Sequence, residues 1–171
     1  MGQRRRAGRW FLPKAADRAS IDHVMQVALL APSVCNRQPF EFRIFDDRAL
    51  VKKVIEIPFG LAGYGHNVPV VAVVVGQQRH FFDERDRHLI YIDSSLAVMG
   101  FLLALETLGL SSCCVNWPDI ESQEKEMASL LGLSPDERPV MLLAIGYPDL
   151  DGMVANSTKK SLSQLRHFNF K

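Results

Sequence analysis

The chain has 171 residues, 47% of them hydrophobic and 23% charged, so it is long enough to bury a core without disulfides or a structural metal. Twenty Lys and Arg residues against 19 Asp and Glu leave a formal net charge of +1, which gives no reason to expect nucleic acid or an acidic membrane as a partner. The three cysteines form neither a disulfide framework nor a metal-ligand pattern, and they indicate a reducing cytoplasm. The longest uncharged apolar run, residues 94–105, is too short to span a bilayer, so we expect a soluble single domain over residues 1–171.

The first half of the chain predicts one helix, two strands and a long loop. Apolar residues at helical spacing follow Ser20, an expected N-cap, and this helix must end before Pro32. Alternating apolar residues at 40–45 predict a half-buried strand, and a short helix follows it. Residues 56–67 carry one proline and three glycines and predict a loop, whereas the β-branched run 68–75 predicts a fully buried strand.

The second half begins with a long helix at residues 92–108 that is apolar on nearly every side. Such a helix must be buried on every side, which in a domain this small favours contact with a second subunit. A short strand at 113–115, an amphipathic helix at 122–131 and a strand at 140–145 follow, before a polar tail. The helices do not alternate regularly with the strands, so we predict an α+β fold with a central mixed sheet covered by helices.

Three arginines, Arg5, Arg6 and Arg9, lie within five residues near the N-terminus, in what we call the arginine segment (residues 5–9). The planar guanidinium group binds phosphate through two parallel hydrogen bonds, so such a cluster suits a phosphorylated cofactor. A solvated, frayed terminus is the alternative interpretation of the same residues.

The turn between the first helix and the first strand has the sequence A-P-S-V-C-N-R-Q-P-F, and we call it the proline turn (residues 31–40). Its prolines restrict the backbone, and Ser33, Asn36 and Gln38 supply short polar groups that suit the hydroxyls and pyrimidine edge of a flavin. The alternative is an ordinary turn whose polar side chains bond their own backbone, and the residues alone leave both open.

Two further segments stand outside the predicted core. In the strand-end loop (residues 115–117), Asn116 and the backbone amides could face a flat ring that Trp117 shields, although Trp-Pro after a strand also closes hydrophobic edges. The lysine pair, Lys159 and Lys160, lies in the polar tail, where a basic pair is usually only solvated.

The order of these motifs is more specific than any one of them. R-R-x-x-R-x-F, A-P-S-x-x-N-x-Q-P-F-x-F, a buried V-P-V-V-x-V-V-V run, a long helix ending in L-G-L and a final I-G-Y-P follow one another along the chain. In this order the chain resembles the nitroreductase family of FMN-dependent oxidoreductases over residues 4–165. The resemblance implies the family's fold and an intertwined homodimer with two FMN molecules at its interface.

The resemblance also implies a cofactor site. The positions that match the family's FMN-binding positions are Arg5, Arg6, Ala7, Arg9, Pro32, Ser33, Asn36, Val115, Asn116, Trp117, Lys159 and Lys160. By this resemblance the arginine segment contacts the phosphate, ribityl chain and pyrimidine side, and the lysine pair completes the phosphate site. The proline turn lies against the flavin, partly from the other subunit, and the strand-end loop borders the reactive N5 edge.

The function implied by the resemblance is hydride transfer from NADH or NADPH through FMN to a small organic acceptor, such as a nitroaromatic, a quinone or a flavin. Donor and acceptor would use one place in turn, in a ping-pong cycle that needs no catalytic side chain and no metal, because the cofactor carries the chemistry. Arg9 would stabilise negative charge on reduced flavin, and Phe81 and Phe82 are candidates to roof its open face. Ala7 stands where the family usually has serine, which implies a weaker hold on the cofactor.

Three alternatives stay open at this level. The chain could bind or sequester flavin without catalysis, or it could be a degenerate family member that acts only as a structural partner. Cys35 could also serve as a catalytic thiol with one of the five histidines as its base. A yellow purified protein would separate flavin binding from the structural role, and bleaching by NAD(P)H would separate catalysis from flavin binding alone.

Overall fold

The protein, in a computed structural model that describes residues 5–169, is an α+β fold built on one sheet. The helices are α1 (Arg18–Ala28), α2 (Arg48–Ile55), α3 (Leu89–Thr107), α4 (Glu121–Leu131) and the short α5 (Leu162–Leu165). The strands are β1 (Phe40–Phe45), β2 (Val70–Gln77), β3 (Ser111–Asn116) and β4 (Glu137–Gly146). The predicted α+β class and the four predicted strands are confirmed, with ends shifted by up to three residues.

The sheet has the strand order β1-β2-β4-β3, and every neighbouring pair of strands is antiparallel. A mixed sheet was predicted, but the only parallel pairing among the described residues is an isolated bridge between Ala7 and Ser112. Strand β2 lies in the interior and is buried along its whole length, as its β-branched sequence predicts.

The two faces of the sheet bury separate apolar clusters. On one face α1 and α3 pack against β2 and β4, with Val24, Phe101 and Leu105 at the centre. On the other face α2, α4 and the loop that precedes β2 cover the sheet, and Val54 and Met127 are fully buried there. Each strand therefore contributes alternate side chains to two layers.

The ends of the helices follow local hydrogen bonding. Helix α1 is capped by Asp17 and not by the predicted Ser20, because the Asp17 carboxylate accepts a hydrogen bond from the Ser20 amide at 2.8 Å. Helix α4 ends at Gly132, which adopts the left-handed conformation with φ +62°, as its position predicts.

Within one chain, helix α3 is buried on one side and open on the other, so its predicted burial against a second subunit stays a prediction. Ile90, Phe101 and Leu105 are buried in the domain, whereas Tyr91, Ile92, Leu96 and Met99 are between 46% and 48% exposed. Residues 92, 96 and 99 recur at helical spacing and form one apolar stripe, which we call the α3 stripe. A helical stretch at residues 84–107 is long and apolar enough to cross a membrane, but half of its most apolar window is buried inside the fold, as in a core helix.

Candidate functional site

The arginine segment lies along the free edge of β3. The Gly8 amide donates a hydrogen bond to the Ser112 carbonyl at 3.1 Å, next to the bridge between Ala7 and Ser112. The Asn67 side-chain amide donates to the Arg9 carbonyl at 3.1 Å. These contacts bind the segment to the sheet, so the alternative of a frayed terminus does not describe it.

The arginine side chains meet aromatic and thiol groups. The Arg9 guanidinium carbon lies 5.6 Å from the centre of the Tyr64 ring, and neither Arg5 nor Arg9 has a carboxylate partner within residues 5–169. Burial and the hydrogen bond from its hydroxyl to the Cys113 sulfur, at 3.3 Å, raise the pKa of Tyr64. Burial, together with Cys113, raises the pKa of Cys114, although Arg5 opposes the shift. Cys114 is thus held as a neutral thiol at neutral pH.

The strand-end loop divides its predicted residues between the core and solvent. Val115 is buried against Gly60, where an added Cβ would lie 3.0 Å from a Val115 methyl group. Asn116 is exposed. Trp117 is half-buried, and its indole N–H donates a hydrogen bond to the Glu124 carboxylate of α4. Trp117 is therefore fixed towards α4, and Asn116 supplies the free polar side chain of this loop.

Alternate residues of β3 turn an incompletely covered face towards the α3 side of the sheet. Cys113 and Val115 belong to the opposite core, so Ser112, Cys114 and Asn116 share the α3 side. Cys114 and Asn116 are exposed there, and the buried Ser112 hydroxyl has no hydrogen-bond partner among the described residues. Of the arginine side chains, Arg5 lies close enough to Cys114 to act on its thiol, whereas Arg9 lies against Tyr64 of the opposite cluster.

The proline turn forms hydrogen bonds within itself. The Ser33 hydroxyl accepts from the Gln38 amide at 3.0 Å, and the Asn36 side-chain oxygen accepts from the Gln38 side chain at 3.1 Å. Cys35, Asn36 and Gln38 have φ values of 51°, 53° and 48°, in the left-handed region that residues other than glycine rarely adopt. Pro32 is exposed. The hydrogen bonds within the turn are those expected of an ordinary turn. The three positive φ values add backbone strain, which an ordinary connector does not need.

Asp93 supports this turn from α3 and is a functional candidate that no sequence motif marks. Its side chain is on α3, is 1% exposed, and accepts a hydrogen bond from the Val34 amide at 3.1 Å. Asp93 is one of only two acidic residues in an otherwise largely apolar helix, and this was the available signal, because a buried carboxylate requires a partner.

Arg37 was missed in the same way. It donates a hydrogen bond to the His80 carbonyl, and its guanidinium carbon lies 5.7 Å from the centres of both the Phe81 and Phe82 rings. The turn is therefore joined to Phe81 and Phe82, the two residues named above as candidates to roof the flavin.

One chain brings together only part of the predicted site. The arginine segment lies beside Ser112, at the start of β3, and the proline turn precedes Phe40, at the opposite end of the sheet on the other edge strand. Three strand spacings, about 14 Å, and six residues of strand, about 20 Å, separate these corners. The lysine pair is exposed in the tail and makes no ion pair within the described residues.

None of the twelve predicted site residues lines the groove beside α2. This groove is open, has a volume of about 950 Å³ and lies between α2 and the loop before β2. Its lining includes Val51, Leu61, Val68, Arg48 and His66.

Comparison with known proteins agrees with this fold. The Nitroreductase family matches residues 3–62 and 56–147. A candidate NADH dehydrogenase/NAD(P)H nitroreductase of Archaeoglobus fulgidus is 27% identical over 144 residues, which cover 84% of this chain and 81% of the relative. A protein of the same name from Methanothermobacter thermautotrophicus is 23% identical over 145 residues, covering 84% and 73%.

Two solved structures share the fold at low sequence identity. An FMN-dependent nitroreductase of Clostridium difficile superposes with a TM-score of 0.83 at 21% identity, over 99% of this chain and 97% of the other. A nitroreductase family protein of Streptococcus pneumoniae gives a TM-score of 0.84 at 17% identity, over 98% of both chains. From the family match along most of its length, the chain belongs to the Nitroreductase family.

Proposed function

We propose that the protein is an FMN-dependent oxidoreductase that passes hydride from NADH or NADPH to a small organic acceptor. Family membership supports a flavin oxidoreductase in general, and the names of the relatives and of the C. difficile structure support NAD(P)H and FMN. The observation that carries the proposal is the arginine segment, bound along β3 with Arg5 and Arg9 free of described carboxylate partners.

The residues present fit FMN. A phosphate dianion requires cations that are not already neutralised, and Arg5, Lys159 and Lys160 have no ion-pair partner within residues 5–169. Asn116 and the exposed face of β3 offer donors and acceptors to the edge of a flat ring, and the unpartnered Ser112 hydroxyl lies next to Ala7. We assign the phosphate to the arginine segment and the lysine pair, and the ring to the β3 face.

We further propose that the working unit is a homodimer. The α3 stripe exposes three large apolar side chains, and the tail exposes Leu162, Leu165 and Phe168. Exposure of this apolar surface to water is unfavourable, and packing against a second copy would bury it. Two copies related by a twofold axis can also bring the arginine segment of one to the proline turn of the other. The separation of the two corners in one chain supports this arrangement.

When bound, FMN supplies the ring that accepts and returns the hydride. Arg9 stabilises negative charge on the pyrimidine side through its guanidinium group, and Tyr64 holds that group by a cation–π contact. Asn116 orients the ring edge. With FMN bound, the exposed face of β3 would admit donor and acceptor in turn, which is the order of a ping-pong cycle. Three free cysteines suit a reducing cytoplasm.

The test is an absorbance spectrum after FMN is added and the excess removed, followed by NADH or NADPH without oxygen. We expect a visible flavin band that bleaches with either donor and returns when a quinone is added. If the flavin band remains after NADH and after NADPH, the protein binds flavin without reducing it, which is the alternative. A colourless protein would contradict the proposal altogether.

A further inference from the structure

Residues 77–88, which we call the aromatic excursion, leave the sheet at the end of β2 and return at the start of α3. The beginning of the excursion is firmly anchored. The Gln78 amide donates to the Asp136 carbonyl at 2.9 Å, and the Arg79 side chain forms ion pairs with Asp136 at 2.8 Å and Glu137 at 3.1 Å. Glu137 is buried, so this end cannot move without disturbing β4.

Past His80 the anchoring changes. Phe81 is half-buried, and Phe82 is 81% exposed although it is a large apolar side chain. Among the described residues, the ring contacts of both phenylalanines are with Arg37, at 5.7 Å each, and the same side chain donates a hydrogen bond to the His80 carbonyl. One side chain therefore holds three consecutive residues of the excursion.

The proline turn determines where this arginine points. Arg37 lies between Asn36 and Gln38, both in the left-handed conformation, and its amide donates to the Val34 carbonyl at 3.0 Å. Arg37 has no carboxylate partner within the described residues. Its guanidinium group instead contacts the two aromatic rings and donates a hydrogen bond to the His80 carbonyl. A cation–π contact is weak, and its loss would release Phe82 without unfolding the sheet.

We propose that Arg37 is a positioning residue that holds Phe81 and Phe82 beside the proline turn as the aromatic wall of the acceptor site. Two rings at this place select flat aromatic acceptors, such as quinones and nitroaromatics, which stack on them, over acceptors that do not stack. This inference rests on the proposed function, because the turn must border the flavin for the wall to act.

The first test does not depend on flavin chemistry. Arg37→Ala should expose the excursion to trypsin at Arg85 and Arg87, with cleavage at least fivefold faster than in the wild type. Arg48→Ala is the matched control, because Arg48 is an exposed arginine on α2 with no ion-pair partner within the described residues, and it should leave the rate unchanged. Equal cleavage rates in Arg37→Ala and the wild type would show that Arg37 does not hold the aromatic excursion in place (the clamp). This result would not depend on whether the proposed function is right.

The second test measures acceptor selection at saturating FMN and NADPH. We expect kcat/KM for 1,4-naphthoquinone to fall about tenfold in Arg37→Ala and in Phe82→Leu, with no further fall in the double variant, because the two residues act as one unit. Arg37→Lys, which keeps the cation, should recover part of the loss. We expect the ratio of kcat/KM for 1,4-naphthoquinone to kcat/KM for ferricyanide, which accepts electrons without stacking, to fall at least fivefold in both Arg37→Ala and Phe82→Leu.

A matching fall with both acceptors would overturn the wall, because it would mean that the substitutions damage the flavin site in general. A wild-type protein that reduces neither acceptor while trypsin still distinguishes Arg37→Ala would contradict the proposed function and leave the clamp standing.

Discussion

The two corners of the sheet that carry the predicted site are built in opposite ways. The arginine segment is fixed by backbone pairing with the edge of β3, so its position follows directly from the sheet. The proline turn pairs with β2 only at its end, where the Gln77 amide donates to the Pro39 carbonyl at 2.8 Å, and its other residues depend on their own side chains and on Asp93 of α3. The position of the arginine segment is therefore fixed by the sheet even without a cofactor. The position of the proline turn depends on Asp93, and so on the position of α3.

The largest expected effect is on the assembly that would join the corners. Met99→Asp places a charge in the α3 stripe, which would cost several kcal/mol if buried unpaired in a dimer interface. We expect sedimentation to show a dimer for the wild type at micromolar concentration and a monomer or unfolded chain for the variant. Lys53→Asp, on the exposed side of α2, is the control and should remain dimeric. A monomeric wild type would contradict the dimer.

The next effect belongs to the β3 corner. Arg5→Ala, and the double change Lys159→Ala with Lys160→Ala, should each weaken FMN binding roughly tenfold, because a charge-assisted hydrogen bond contributes about 1.5–3 kcal/mol. Circular dichroism should show an unchanged fold, since all three side chains lie outside the core. Riboflavin lacks the phosphate and should bind every variant equally. Equal binding of riboflavin and FMN by the wild type would show that the phosphate site is wrong.

At the proline turn, Asp93→Ala removes the acceptor for the Val34 amide. A hydrogen bond of this kind contributes about 0.5–1.5 kcal/mol, so the turn should loosen and FMN affinity should fall. Asp93→Asn keeps an acceptor oxygen and should restore most of the affinity. Hydrogen exchange of the Val34 amide measures this directly. Unchanged protection of that amide in Asp93→Ala would show that Asp93 does not hold the turn.

A smaller effect is expected at Asn36, where two causes must be separated. Asn36→Ala loses the side-chain oxygen and also places alanine at φ 53°, whereas Asn36→Gly loses the oxygen and tolerates that backbone. If the side chain binds flavin, both variants should reduce FMN occupancy and slow bleaching by NAD(P)H. Normal occupancy and bleaching in Asn36→Gly would return the segment to an ordinary turn.

The smallest effect is a dependence of stability on pH. Burial alone would raise the pKa of Glu137, but the Ser134 amide, Arg79 and Arg43 outweigh it and hold the pKa below its usual 4.5. The folded state then binds fewer protons than the unfolded state, so this contribution is complete above the unfolded pKa and is lost as pH falls through the folded pKa. We expect the free energy of unfolding to fall less steeply below pH 5 in Glu137→Gln than in the wild type, in urea titrations.

The sequence predicts features that depend on neighbouring residues and misses those that depend on distant ones. The buried β2 and the end of α4 at Gly132 follow from β-branched content and from the left-handed freedom of glycine. The partners of Asp93 and Arg37 lie 59 and 43 residues away, so no local pattern could reveal them. The apolar sequence of α3 predicts burial on every side and favours a second subunit, but it does not say which residues face that subunit; the structure adds this by exposing Ile92, Leu96 and Met99.

The central claim, that two copies share each site across the two corners, is tested most directly by mixing variants. One variant carries Arg5→Ala and Arg9→Ala, and the other carries Ser33→Ala and Asn36→Gly, with different affinity tags so that mixed dimers can be isolated. Each variant alone should retain little FMN. A mixed dimer should bind one FMN, because both sets of changes then fall in one site and leave the other intact. Mixed dimers that bind no more FMN than either variant alone would contradict the shared site.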